Sequence, residues 1–368
     1  MHLGTHKHAF EEFLEHARWV ARERHVSIPQ QLVDLWRLRP VALGAEDYFK
    51  YGLFDRQRFP RHEDRLTFRG WRFAHELRRF SDPQVQGLAF HKHIFYRLLE
   101  NWGFPAPRIH ALYSPTPNGF ERHAAMTSRE QLLDYLRTTD KFPFFGKPSN
   151  ASRGFGAKGV RERLAGDTLR LLNGDTPTIA AYVAEIDGIA RRCGTYLLLE
   201  LLEPREDFRE LSGAVLPSCR VVVLVRDGEP ELFHSSILLP VSRNHISNFH
   251  GGGLGSLFGR IDGATGVICD VMSHMGPDFT WVTDHAETGR RVEGFRIEGW
   301  DEGVALVLRA ARAYAPLRMQ HWDLTFTNRG PALLELNFIG DIEVFQAFGP
   351  PGIFTEQFRT FYETQKVW

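Results

Sequence analysis

Apolar residues recur at three- and four-residue spacing over the first part of the chain and in short unbroken runs over much of the rest. Phe10, Phe13, Leu14, Ala17 and Val20 gather on one helical face. A second helix is predicted over Ile28–Leu38, stopping at Pro40, and a third around Asp47–Tyr51, ended by Gly52. Arg61–Phe80 is basic and aromatic (Arg65, Arg69, Trp71, Arg72, Arg78, Arg79), which fits a solvated face packed by aromatics better than a phosphate-binding helix. Residues 1–85 therefore read as a helical N-terminal region.

After Asp82-Pro83 the pattern changes. A helix is predicted over His91–Trp102, and Gly103–Pro107 leads into an extended segment, Arg108–Tyr113. Ser128 and Gln131 form a capping box ahead of the Leu132-Leu133-Leu136 face. Phe142–Lys147 reads as a short buried strand running into the small-residue loop Ser149–Val160. Thr176-Pro177 is expected to cap a helix carrying Ile179, Val183 and Ile186, and Thr195–Leu202 to be a strand. Further strands are expected at Arg220–Val225, Glu231–Leu239, Gln320–Phe326 and Ala332–Asn337, with a helix over Glu302–Ala315. Helices and strands without strict alternation argue for an α+β fold or two α/β lobes rather than one doubly wound sheet.

Composition narrows the class. The 368 residues are 43% hydrophobic and 24% charged, ordinary values for a folded protein. Forty-five basic residues balance 45 acidic ones, so no net field recruits nucleic acid or an anionic membrane, and any anion must be held by a local site. Three cysteines, Cys193, Cys219 and Cys269, suit a reducing compartment, so a cytoplasmic protein is expected. No apolar run approaches the ~20 residues of a membrane span, and Met1–His25 lacks the uninterrupted apolar core of a secretory signal.

Four features carry chemistry. Lys147 ends a strand directly before the loop Ser149–Gly159, whose backbone N–H groups suit an anion. Taken alone, that loop fits a surface hairpin as well or better, and it has neither the P-loop nor the Rossmann spacing. Near the C-terminus, His321–Phe326 and Ala332–Asn337 form a hairpin through Asn328-Arg329-Gly330. Asp323 and Glu335 can come close in it, and Glu335 and Asn337 point to one face. Such an all-oxygen set suits Mg²⁺ bridging phosphates, while the alternative is a polar strand face in water; the apolar neighbours Leu324, Leu334 and Leu336 favour the metal. Glu200 interrupts an apolar strand and would suit an exocyclic amine, or simply face outward. Arg220 opens the next strand and would suit a phosphate, an oxyanion or a salt bridge.

In this order (lysine, glycine loop, hinge glutamate, then Asp with Glu-x-Asn) the chain resembles the ATP-grasp superfamily, and within it the sugar-transfer associated ATP-grasp family, related to the α-L-glutamate ligases. The similar stretches include Glu46–Leu53, His91-Lys92-His93, Phe145–Pro148 with its loop, and Ser218–Val222. They continue with Asn248–Gly253, Ile261–Gly266, His285–Gly289, His321-Trp322-Asp323 and Gly330–Asn337. His91 stands where an aspartate is common, and Cys219 where a threonine is common.

The resemblance implies an ATP-grasp fold, two α/β lobes sandwiching ATP: residues 86–202 as the small lobe with its glycine-rich lid and 203–368 as the larger lobe with metal and acceptor sites. Lys92 and Lys147 would contact phosphates, with Ser152, Gly154 and Gly156 closing over them. Glu200 and Leu202 would hold adenine, and Glu203 or Asp207 the ribose. Asp323, Glu335 and Asn337 would hold Mg²⁺, and Arg220 would stabilise the transferring phosphoryl group. The Asn248–Gly253 loop, Asp262 and His285 would lie toward the acceptor, with His250 and His285 as candidate bases. The activity implied is carboxylate–amine ligation through an acyl-phosphate, with a small-molecule carboxylate and an amine as partners. An amino acid with a sugar acid or aminosugar is the pair that the family name suggests. A small-molecule or sugar kinase and a non-catalytic ATP-binding regulator are the alternatives; oligomeric state is not read from the sequence.

Overall fold

The computed structural model describes residues 3–116, 125–152, 154–241, 255–338 and 340–365, with side chains from residue 10 onward. Helices fill the first hundred residues: Leu3–Glu23, Ile28–Leu38, Ala45–Lys50, His62–Arg65, Trp71–Leu77, Pro83–Phe90 and Lys92–Asn101. Ser27 caps the second, accepting from the Gln30 N–H, and Pro29 presets the first turn. Two expectations are corrected. Phe10 is 60% exposed, so the buried stripe of the first helix runs through Ala17 and Val20 and ends short of it. Arg65 is buried rather than solvated, because its guanidinium donates to the Leu53 and Phe59 carbonyls at 2.8 and 2.7 Å, which the turn between them would otherwise leave unpaired.

Two sheets follow. The first comprises β1 (Ile109–Tyr113), β2 (Ala125–Met126), β3 (Phe144–Pro148), β4 (Lys158–Leu164), β5 (Thr168–Leu171) and β6 (Tyr196–Glu200), in the order β2-β1-β6-β3-β4-β5. Helices Arg129–Thr138 and Ile179–Cys193 pack on it through Leu132, Leu136, Tyr182, Val183 and Ile186. The predicted Ser128–Gln131 capping box is present. The cap of the longer helix is Thr178, accepting from the Ala181 N–H, not Thr176-Pro177, because a cap must reach the third helical N–H.

The second sheet comprises β7 (Ser218–Arg226), β8 (Glu229–Leu239), β9 (Leu257–Ile261), β10 (Ile268–His274), β11 (Thr280–Trp281), β12 (Met319–Thr327) and β13 (Gly330–Asn337), in the order β11-β10-β9-β8-β7-β12-β13. Its pairings are antiparallel. Val221–Val225 is apolar without alternation because both faces are covered. Val221, Val223 and Val225 meet Leu306, Val307 and Ala310 of helix Trp300–Ala313, while Val222 and Leu224 meet Phe345, Phe358 and Phe361 on the other side. Helix Lys92–Asn101 precedes the first sheet in the chain, yet packs Phe95 on Trp322 and Tyr314 of the second body. Sequence patterning missed β9, where Gly259 and Arg260 break the apolar run, and β10, where Asp270 does; a β-carbon on Gly259 would meet Ile268 at 2.9 Å.

Candidate active site

The charged core of the site is a single row across three strands. Arg220 on β7 faces Asp323 on β12, and Asp323 faces Glu335 on β13. Residues opposite one another in an antiparallel ladder share a face, so the register alone places three ionisable groups side by side. Arg220 grips Asp323 through Nε at 2.5 Å and Nη2 at 3.3 Å. One step along the same face, Asn337 opposes His321.

Two lysines meet this row, Lys147 from the first sheet and Lys92 from the helix that packs on the second. Lys92, at the first position of its helix, is buried. Its Nζ lies 3.2 Å from Glu335 Oε1 and donates to the Ala151 carbonyl at 2.6 Å, joining the row to the loop after β3. Lys147, near the end of β3, holds its ammonium 5.0 Å from the Tyr96 ring centre, and the Tyr96 hydroxyl donates to the Leu334 carbonyl. The loop is braced from beneath, where the Tyr196 hydroxyl donates to the Gly156 carbonyl at 2.9 Å. Gly156 adopts φ +70°, and a β-carbon there would lie 2.9 Å from Ile189, so glycine fits where a larger residue would not.

Burial and pairing set the charges. Burial pushes the Asp323 carboxyl up, opposed by Arg220. It pushes Glu335 up as well, but Lys147 and Lys92 outweigh it and hold that carboxyl below its ordinary value. Both lysines are pushed down by burial, against the pull of Glu335. Arg220 is also penalised by burial, but Asp323 more than compensates.

Lys92, Lys147, Ser152, Gly154, Glu200, Leu202, Glu203, Asp323 and Glu335 line one cleft with a cavity volume of about 430 Å³. Asp323 and Glu335 of the row and Leu201, Leu202 and Glu203 of the segment after β6 both line it. Gly156 supports the loop from outside that lining, against Ile189. Arg220 stands beside the lining, bound to Asp323, and Asn337 lies one step farther along the strand face.

Other expected residues lie elsewhere. Asp207 is held by Arg205 in a two-point pair at 2.7 and 2.6 Å, away from the cleft lining. Asp262 caps an exposed turn, accepting from Thr265. His285 is corrected as a candidate base: it is fully buried outside the cleft, Nε2 sits 3.3 Å from the Pro240 carbonyl, and Nδ1 accepts from the Thr288 N–H at 3.4 Å. Burial pushes its pKa down, and the ring pins the turn that carries Glu287 to the cleft wall. His250 and the Asn248–Gly253 loop lie outside the described residues.

Sequence reasoning missed Arg161, Arg209 and Glu287, which also line the cleft. Glu287 lies within the stretch His285–Gly289, two residues after the buried histidine.

The sequence profile of the sugar-transfer associated ATP-grasp family matches residues 72–360. The chain belongs to this family. As a member of the sugar-transfer associated ATP-grasp family it has the ATP-grasp fold, with the cleft between its two sheets. Among solved structures it is similar to D-alanyl-alanine synthetase A from Vibrio cholerae, at 12% identity and a TM-score of 0.40, over 77% of this chain and 63% of that one. It is similar to D-cycloserine synthetase DcsG at 12% identity and a TM-score of 0.42, over 79% and 77%. It is also similar to the D-Ala:D-Ser ligase VanG from Enterococcus faecalis, at 12% and 0.44, over 77% and 63%. The chain thus spans less than two thirds of the length of the first of these. No curated protein matches it.

The donor set fits a magnesium ion. Among the described residues no group of three or more His, Cys, Asp or Glu comes together. Two carboxylates with an amide oxygen nearby are what Mg²⁺ takes when phosphates and water complete its shell. Among the described residues no helix is long and apolar enough to cross a membrane.

Proposed function

We propose that this protein is an ATP- and Mg²⁺-dependent carboxylate–amine ligase that works through an acyl-phosphate. The observation that carries the reading is the row Arg220–Asp323–Glu335, whose two carboxylates line one cleft together with Lys92 and Lys147. Asp323, Glu335 and Asn337 would hold Mg²⁺, which supplies charge neutralisation at the phosphates when bound. Lys92 and Lys147 hold the β- and γ-phosphate oxygens, and the loop with Ser152 and Gly154 closes over them and excludes water. Glu200 and Leu202 receive the adenine, and Glu203 the ribose. Arg220 stands at the end of the row, where a substrate carboxylate attacking the γ-phosphorus in line would build negative charge.

An amine then attacks the acyl carbon and phosphate leaves, so the products are an amide, ADP and phosphate. With His285 buried, His250 is the proposed recipient of the amine proton. An amino acid with a sugar acid or aminosugar is the proposed substrate pair. Residues 1–85, 86–202 and 203–368 are proposed as the helical region and the small and large lobes. The three cysteines are free in the structure, in keeping with a proposed cytoplasmic location.

The test is a product balance with pooled acids and amines, following ADP and free phosphate together. Equal release of both, only when an acid and an amine are present, is expected. ADP without matching phosphate would make the protein a kinase, and failure to bind ADP at all would remove the catalytic reading.

A further inference from the structure

The segment joining the two sheets, Glu200–Arg205, is fastened to the end of the β12–β13 hairpin at three points. Pro204 forms a bridge with Thr327, and the Arg205 N–H donates to the Phe326 carbonyl at 3.2 Å. The third point is an ion pair, with Arg329 Nη2 2.8 Å from Glu200 Oε1. The first two hold the end of the segment that leads into helix Glu206–Ser212; only the third reaches its beginning, where β6 ends.

The turn that carries Arg329 is itself braced. Thr327 Oγ1 accepts from the Arg329 N–H at 3.1 Å and donates to the Gly330 carbonyl at 3.0 Å. Gly330 adopts φ +97°, a conformation that favours glycine. The second Glu200 oxygen faces the Arg108 N–H at 3.4 Å. Each carboxylate oxygen thus has a partner of its own.

The two partners occupy different places. Glu200 lines the cleft, together with Leu201, Leu202 and Glu203. Arg329 does not; it lines a second cavity of about 360 Å³, with Arg108 and Phe104, which shares Leu202 with the cleft. Its side chain is 56% exposed and that of Glu200 is 23% exposed, so the pair contributes little to stability. Its consequence is orientation.

A fixed, ionised carboxylate only accepts hydrogen bonds. The C6 amino group of adenine donates; the C6 carbonyl of guanine does not. We infer that Arg329, from the larger sheet, is a positioning residue that fixes the Glu200 carboxylate at the cleft wall and thereby sets the preference for adenine over guanine nucleotides. This rests on the nucleotide cleft proposed above.

Titration calorimetry of the full-length protein with ADP and with GDP tests it. Wild type is expected to bind ADP more tightly than GDP. Arg329→Ala weakens ADP binding roughly 3- to 10-fold, as expected for loosening one charged hydrogen bond, and leaves GDP binding where it was, so the preference narrows. Arg329→Lys keeps most of it. Glu200→Gln narrows it alone, which keeps the test available if Arg329→Ala does not fold. Because Arg329 acts through Glu200, the double variant binds ADP no more weakly than Glu200→Gln. An unchanged ADP:GDP ratio in Arg329→Ala, or losses that multiply in the double variant, overturns the inference while leaving the nucleotide cleft standing. If wild type binds neither nucleotide, the proposed function falls and the inference with it.

Discussion

Asp187 and Asp323 are both acids set among apolar neighbours, one in each sheet's body, and their surroundings differ in a way that separates structure from chemistry. Asp187 is fully buried and saturated. It accepts from the Tyr113 hydroxyl at 2.5 Å, Arg129 Nη2 at 2.6 Å and Arg191 Nε at 2.9 Å. Burial pushes its pKa up, but the hydrogen bonds from Arg191, Tyr113 and Arg129 outweigh that and bring it down to about 2. Asp323 has a single arginine, a second carboxylate facing it across the ladder, and a pKa that burial pushes up. The first acid is at rest in its surroundings. The second has a like charge beside it, shares its cations Arg220 and Lys147 with Glu335, and has fewer donors of its own, in keeping with the Mg²⁺ site proposed above.

The comparison can be broken most directly at Asp323. Asp323→Asn is expected to lower Mg²⁺-dependent turnover by about 10²- to 10³-fold, the usual cost of removing one electrostatic group at a transition state. Denaturant unfolding should stay cooperative in that variant; full activity would remove the metal assignment. Lys147→Ala should weaken ADP binding by about 10- to 100-fold, as loss of a charged phosphate contact does, and unchanged affinity would remove Lys147 from the phosphate site. Asp187→Asn tests the other side. It should destabilise the protein by about 2–3 kcal/mol, below the cost of breaking a fully buried pair because both arginines reach water. Nucleotide affinity should be unaffected.

The two acids also have opposite pH signatures. For Asp187 the folded pKa is depressed, so its contribution is full above the unfolded value near 4 and is lost as pH falls through about 2. The stability gap between wild type and Asp187→Asn should therefore close between about pH 4 and pH 2. A constant gap would mean that Asp187 acts by shape alone. Asp323 has the reverse sign: its raised value costs stability above the folded pKa, and the cost disappears as pH falls through it. The smallest effect is expected at His285. His285→Ala should cost about 1–3 kcal/mol of stability, the penalty of leaving buried polar groups unpaired, and leave the shape of the pH–rate profile unchanged. Loss of the acidic limb, where a base is protonated and stops working, would restore it as a base.

Legibility in the sequence follows the same division. Asp323 and Glu335 were readable because a hairpin has a two-residue period and a countable register. Ile28–Leu38 was readable to the residue because Ser27 and Pro29 mark its start. Arg65 was misread as solvated because residue type shows charge, while the carbonyls it serves, Leu53 and Phe59, come together only in the folded turn. His285 was overrated for the same reason. Glu287, Arg161 and Arg209 reach the cleft by tertiary path, from three segments that share no period. Strand β9 was hidden by Gly259, which is there for packing against Ile268.

The ladder that aligns Arg220, Asp323 and Glu335 also dictates which insertions and deletions the gene tolerates. One codon added between Gln320 and Asp323 would turn Asp323 to the opposite side of the sheet, among the valines and the long helix, while Arg220 and Glu335 stayed where they are. Codons added at Asn328-Arg329 would leave Arg220 and Asp323 in register and displace the hairpin's tip, with the Arg329 that pairs Glu200. Related chains should therefore keep a fixed count along β12, and an alignment of relatives read for gaps alone would show it.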